Sequence, residues 1–244
     1  MTELSKPQTM LSSTLDTVAG HTQDFTPTKQ ICEYLNAFHV YGDDKSRYDG
    51  FRQQKTSDSV GILLRVFGVI KQYLGLIYDS AEKDAKLIGV EYMIPKQVQS
   101  LQLYDIWNTL PDEEKQYWHT HECEVKSGML IMPRPAGMPN AVWEASETKA
   151  LEGVVNWYGK TFHFWQVDKG DVLPLGPPKL MKSFTNEFQL PQEILKSRNE
   201  KFDVDQAAKK KARTHIKPEI DDTNDKKFWE GEGFTLDFRK VKMK

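Results

Sequence analysis

Between Trp118 and Pro133 the chain reads Trp-His-Thr-His-Glu-Cys-Glu-Val-Lys-Ser-Gly-Met-Leu-Ile-Met-Pro. His119, His121 and Cys123 take alternate positions here, and these are the side chains that bind borderline divalent metals. In an extended strand residues two apart share a face, so these three would point one way and Glu122 and Glu124 the other. His163, in Thr-Phe-His-Phe-Trp-Gln-Val, is a candidate fourth ligand. In a helix the geometry changes: His121 would meet Glu124 one turn on, beside Trp118. A helix-to-strand break inside 118–124 would mix the two faces. His39, next to Phe38, and Glu124 complete the candidate set. Three uses of these residues stay open: a divalent-metal centre, acid–base chemistry without metal, and histidines hydrogen-bonded inside a packed core.

A His-x-His pair followed by Glu and a later His suggests a cupin, but His121 and Glu124 are too close together and the Gly-rich flanks are missing. Other constellations are weaker. Asp168 and Asp171 flank Lys-Gly and read as a β-turn. Ser127-Gly128 lacks a Gly-x-Ser-x-Gly elbow. The aromatics around His163 read as core, since no basic groove accompanies them for base stacking.

The elements that must position these residues follow from spacing. Ile31, Tyr34, Leu35 and Phe38 predict a helix from Thr28, ended by Tyr41-Gly-Asp-Asp44. Residues 60–78 are the most apolar window; Arg65 and Lys71 argue against a membrane span and leave a buried helix or a strand pair. Leu76–Ser80 and Lys86–Ile94 predict a β-hairpin. A helix is expected over 96–108, then a short one opened by Pro111 and Asp112-Glu-Glu. Glu124–Pro133 reads as a strand, 141–157 as a helix, Tyr158-Gly-Lys as a turn and 161–167 as an aromatic strand. The loop Pro174-Leu-Gly-Pro-Pro is expected to close the core. The fold class is α+β: one compact domain with antiparallel strands, flanking helices, and disordered N- and C-terminal segments.

Hydrophobic residues make up 39% of the 244, and the polar excess lies at the ends. The expected organisation is a mobile tail over 1–28, a domain over 29–190 and a charged extension over 191–244, where Lys209-Lys-Lys-Ala-Arg213 reads as solvated. A net charge of −2 gives no pull toward nucleic acid. Cys32 and Cys123 read as free thiols. The N-terminus lacks an apolar signal core, and the expected location is cytoplasmic.

Leu35-Asn-Ala-Phe-His-Val-Tyr, Ile77-Tyr-Asp-Ser, Leu87-Ile-Gly-Val-Glu-Tyr, Trp118-His-Thr-His, Glu124-Val-Lys-Ser-Gly, Tyr158-Gly-Lys and Trp165-Gln-Val-Asp-Lys-Gly-Asp-Val-Leu-Pro-Leu-Gly resemble, in order, the oil body-associated protein family. The resemblance covers about residues 30–185. It implies peripheral association with a lipid-droplet surface or droplet proteins, without a transmembrane segment and with no catalytic mechanism to carry over. The alternative is a metal-dependent enzyme or metal-binding protein built on His119, His121 and His163, with Glu124 or His39 assisting. Two departures accompany the resemblance. A family segment containing His and Cys is replaced by Phe51–Leu76, as an insertion or a retained intron over Val60–Gln72 would do. Cys123 stands where the family commonly has an aromatic, which weakens it as a ligand.

Overall fold

The computed structural model of the chain describes residues 18, 31–48, 60–67, 72–96, 106–231 and 233–236. The chain divides into Met1–Ile31, almost all outside those residues, and a unit Cys32–Lys244. The architecture is α+β. Nine strands among the described residues form one sheet: β1 Ile31–Ala37, β2 Val40–Tyr41, β3 Asp44–Tyr48, β4 Val60–Phe67, β5 Gln72–Tyr78, β6 Leu87–Pro95, β7 His119–Thr120, β8 Trp157–His163 and β9 Lys179–Lys182. Their order is β1-β4-β5-β6-β8-β9-β2-β3, with β7 paired to β8. The pairings from β4 through β3 are antiparallel.

The expected hairpin is present: β5 and β6 pair around Ile77↔Gly89. The apolar window is the strand pair β4–β5. Seven helices lie among the described residues: α1 Ile106–Thr109, α2 Asp112–Lys115, α3 Glu122–Ser127, α4 Asn140–Val154, α5 Gln192–Phe202, α6 Gln206–Ala212 and α7 Thr223–Glu230. The acidic start of α2 and the body of α4 follow the spacing. Phe51–Ser59, Gly68–Lys71 and 97–105 lie outside the described residues, so much of the divergent segment and of the expected 96–108 helix does too.

Three local readings need correction. The segment after Thr28 forms β1 instead of a helix; its backbone pairs in the sheet and bridges Asn36 to Ile131, and long-range pairing overrides a short helical spacing. Glu124–Ser127 is helical, not extended: α3 is closed by Gly128 in the left-handed conformation at φ 79, where glycine carries no Cβ penalty. Tyr158-Gly-Lys lies inside β8, so the glycine there serves close approach rather than a turn.

The main apolar core gathers Leu35, Ile77, Ile88, Met93, Val125, Leu151 and Val155. A second cluster joins Phe38, Val40 and Met129 to Leu190, Leu195 and Phe228. The segment expected as a solvated extension thus supplies α5, α6 and α7, and buries Leu195 and Phe228. Its basic residues act as clamps. Arg213 donates to the carbonyls of Val125 and Leu130 at 2.9 Å each. Arg198 donates to Met129 O at 2.6 Å and to Asn36 Oδ1 at 3.2 Å. Both brace α3 and the chain leaving it.

Candidate metal centre

The central residue of the site is Glu91, on β6, which sequence reasoning passed over. Its side chain is 2% exposed, and three imidazoles converge on its Oε1. His119 Nε2 lies at 3.1 Å, His121 Nε2 at 3.4 Å and His39 Nε2 at 3.8 Å. The atoms offered by His39, Glu91 and His119 all lie within 4.8 Å of one another.

Each side chain is delivered by the fold. β6 pairs with β8 so that Glu91 faces Thr161 and Gly89 faces His163. β7 pairs with β8, setting His119 opposite Gly159 and Thr120 opposite Tyr158. β7 is in turn pinned from α7: Asp225 Oδ2 accepts from Thr120 N at 2.7 Å and from Thr120 Oγ1 at 2.9 Å. Lys182 pairs with Asp225 at 3.1 Å and donates to the carbonyls of Trp118 and Gln116. His121 occupies the N-cap position of α3 without capping it through its side chain, and its Nδ1 contacts Trp157 O at 3.1 Å. A carbonyl only accepts, so Nδ1 carries the proton and Nε2 turns toward Glu91.

Two glycines make room for the cluster. A Cβ on Gly159 would fall inside contact distance of Glu91 Oε1, 2.8 Å from His119 Nε2 and 2.9 Å from His121 Cε1. A Cβ on Gly89 would strike Phe162 O and come within 2.7 Å of His163 Cδ2. Both glycines therefore serve close approach to imidazoles.

The electrostatics are those of a group of bases around one acid. Burial alone would raise Glu91, but contacts with His119, His121 and His39 outweigh it and hold the carboxyl well below its usual range. Burial drives His119 down to about 4, against the pull of Glu91. Burial also opposes a charge on His121, yet Glu91, Glu124 and the Trp157 carbonyl together hold it above its usual value. The 3.1 Å approach of His119 is not aligned as a hydrogen bond. Among the described residues neither ring nitrogen of His119, nor Glu91 Oε1, has a hydrogen-bond partner although all are buried. Such atoms are rare in native interiors, and a cation held between His119 Nε2 and Glu91 Oε1 would satisfy those two.

The sequence-derived candidates separate accordingly. His39 and His119 meet at Glu91, and His121 reaches the same oxygen. His163 is buried beside them, its ring 6.2 Å from that of His39 and 6.1 Å from that of Tyr41. Glu124 is buried on α3 and acts on His121 through its charge, outside the group of three. Cys123 does not share a strand face with the histidines; it sits on α3, a free thiol pushed up to about 12 by burial and by Glu124, Glu187 and Glu122. The signal for Glu91 was its phase: Gly89, Glu91 and Met93 alternate on the buried face of β6 while Tyr92 is exposed.

The site residues sit inside the segments that carried the family resemblance. A family model described as "Protein of unknown function (DUF1264)" matches residues 25–217. Among curated proteins, Oil body-associated protein 1B of Arabidopsis thaliana is 36% identical over 234 residues, covering 96% of this chain and 86% of the relative. Oil body-associated protein 1A of Zea mays is 39% identical over 211 residues, covering 86% and 78% respectively. Oil body-associated protein 2C of Arabidopsis thaliana is 34% identical over 244 residues, covering 97% and 91%. The chain belongs to the oil body-associated protein family. No solved structure matches it significantly.

Proposed function

We propose that this protein binds one divalent transition-metal ion at His39, Glu91 and His119, with His121 as a further ligand. The observation that carries the reading is the convergence of three imidazole Nε2 atoms on one buried carboxylate oxygen. Ligands about 2.1 Å from a tetrahedral ion stand about 3.4 Å apart. The separations of 3.1, 3.4 and 3.8 Å from Glu91 Oε1 bracket that edge length. Two or three imidazoles with one carboxylate suit zinc or iron(II) better than calcium or magnesium. The ion would hold the ligands and fasten β7 to β6. Side chains 0–5% exposed make the centre an enclosed one. The test is to strip the full chain with chelator and dialyse it against zinc, then iron(II) under anaerobic conditions. About one equivalent should bind and raise the Tm. No uptake and an unchanged Tm would refute the reading.

A second reading, association with lipid droplets, is favoured by the relatives' printed names. Binding would be peripheral: among the described residues no helix is long and apolar enough to cross a membrane. Flotation of the chain with droplets from lipid-loaded cells supports this reading, and a diffuse, non-floating protein counts against it.

A further inference from the structure

The loop after the short 3-10 turn Val167–Lys169 does not close the core as its prolines suggested. Its aliphatic side chains face solvent: Val172 is 80% exposed, Leu173 61% and Leu175 54%. From Val172 to Pro178 the sequence is Val-Leu-Pro-Leu-Gly-Pro-Pro, with no charged side chain. We propose that this loop is the element that enters a phospholipid monolayer, resting on the droplet-association reading above.

Four features favour lipid as the occupant. The base of the loop is held firmly: Trp165 Nε1 donates to Asp171 O at 2.9 Å, and Asp168 accepts from Tyr41 at 2.6 Å and pairs with Arg47 at 2.7 Å. The apolar tip is therefore presented without a large ordering cost. Pro174, Pro177 and Pro178 lack backbone N–H groups, so fewer donors lose water when the loop enters hydrocarbon. Two lysines lie near the base, Lys169 exposed and Lys86, which also faces Asp79 at 3.8 Å, over the Trp165 ring at 5.3 Å; such cations suit phosphate headgroups. Finally, three exposed aliphatic side chains within four residues fall short of the about 800 Å² per partner that a stable protein interface buries, whereas shallow lipid insertion needs no complementary surface.

The test uses the full chain and protein-free triolein droplets coated with phosphatidylcholine and phosphatidylserine. Wild type should float with the droplets. Leu173→Asp combined with Leu175→Asp should lower the partition about tenfold or more, with the Tm unchanged because both positions are exposed. Val142→Asp, at an exposed position of α4, controls for general hydrophobicity and should float like wild type. If wild type and the double variant float equally, the loop assignment is wrong and droplet association stands. If wild type floats neither with these droplets nor with droplets that retain their native proteins, both fall. If wild type binds only droplets that retain their native proteins, the partner is a protein and the lipid assignment is overturned.

Discussion

Two of the buried polar clusters in this fold are built on opposite plans. Around Glu147, on α4, every charge meets its complement: Lys209 pairs with Glu147 and, at 2.8 Å, with Glu144, and Arg213 pairs with Glu147 at 3.1 Å. Glu147 Oε1 also accepts from Met132 N at 2.7 Å. Around Glu91, three bases crowd one acceptor, and His119 finds no hydrogen-bond partner among the described residues. The first cluster is balanced in charge and reads as structural, although Arg213 Nε and Nη2 also lack a hydrogen-bond partner among the described residues. The second gathers three imidazoles on one carboxylate, the arrangement that the proposed ion would use. Burial of charge is thus no sign of function by itself; what separates the clusters is whether opposite charges are matched or several metal-ligating bases share one acceptor.

The comparison can be broken most forcefully at Glu147. Its replacement by Ala leaves Arg213 buried without its paired carboxylate and Lys209 with Glu144 alone, and should cost about 3–5 kcal/mol in denaturant unfolding of the metal-free chain. A loss below about 1 kcal/mol would show that the charge-balanced cluster is not structural. A smaller, different effect is expected at Gly159. Its replacement by Ala forces β8 away from Glu91 and His119, which should cost about 1–3 kcal/mol and abolish metal uptake. Uptake at wild-type affinity would mean that the ion binds elsewhere.

Acid sharpens the contrast further. The folded-state pKa of His119 is about 4, below the ordinary 6.5, so between those values the unfolded chain takes up a proton that the folded chain refuses. Metal-free stability should therefore fall as pH drops from 6.5 to 4, with His119 contributing up to about 1.4 kcal/mol per pH unit. His121 has the opposite sign: its raised value adds stability below 6.5 that is lost as pH climbs through the folded pKa. His119→Gln should flatten the acid slope, and an unaltered slope would contradict the assignment. The smallest effect belongs to Cys123. With its thiol pushed up to about 12, it should react very slowly with thiol reagents at pH 8, and Cys123→Ala should leave metal content unchanged. Rapid labelling would reinstate Cys123 as a chemically active residue.

Much of the site was legible as residue types and little as geometry. His39, His119, His121 and His163 announce themselves because imidazoles are few in this chain. Their convergence depends on β6–β8 and β7–β8 registers, which are pairings between distant segments. Glu91 stayed hidden because a carboxylate on a strand normally faces water, and Val90 and Tyr92 beside it look like the buried set. Gly159 resembled a turn former until its neighbours showed a close approach. The hairpin of β5 and β6 was readable because its strands are adjacent and strongly alternating. The helical nature of α3 was not, because it is short and is braced from outside by Arg198 and Arg213. Those arginines looked like solvated charge, since their acceptors are backbone carbonyls far away in the chain.

The central claim, that Glu91 and not Glu147 organises a metal site, is tested most directly by one paired measurement. Glu91→Gln and Glu147→Gln are purified as folded proteins, stripped, reloaded with zinc and assayed for bound metal per chain. The account predicts that Glu147→Gln retains about one equivalent, while Glu91→Gln, its carboxylate made neutral, loses most of it. Equal metal content in the two variants, whether full or nil, would contradict it.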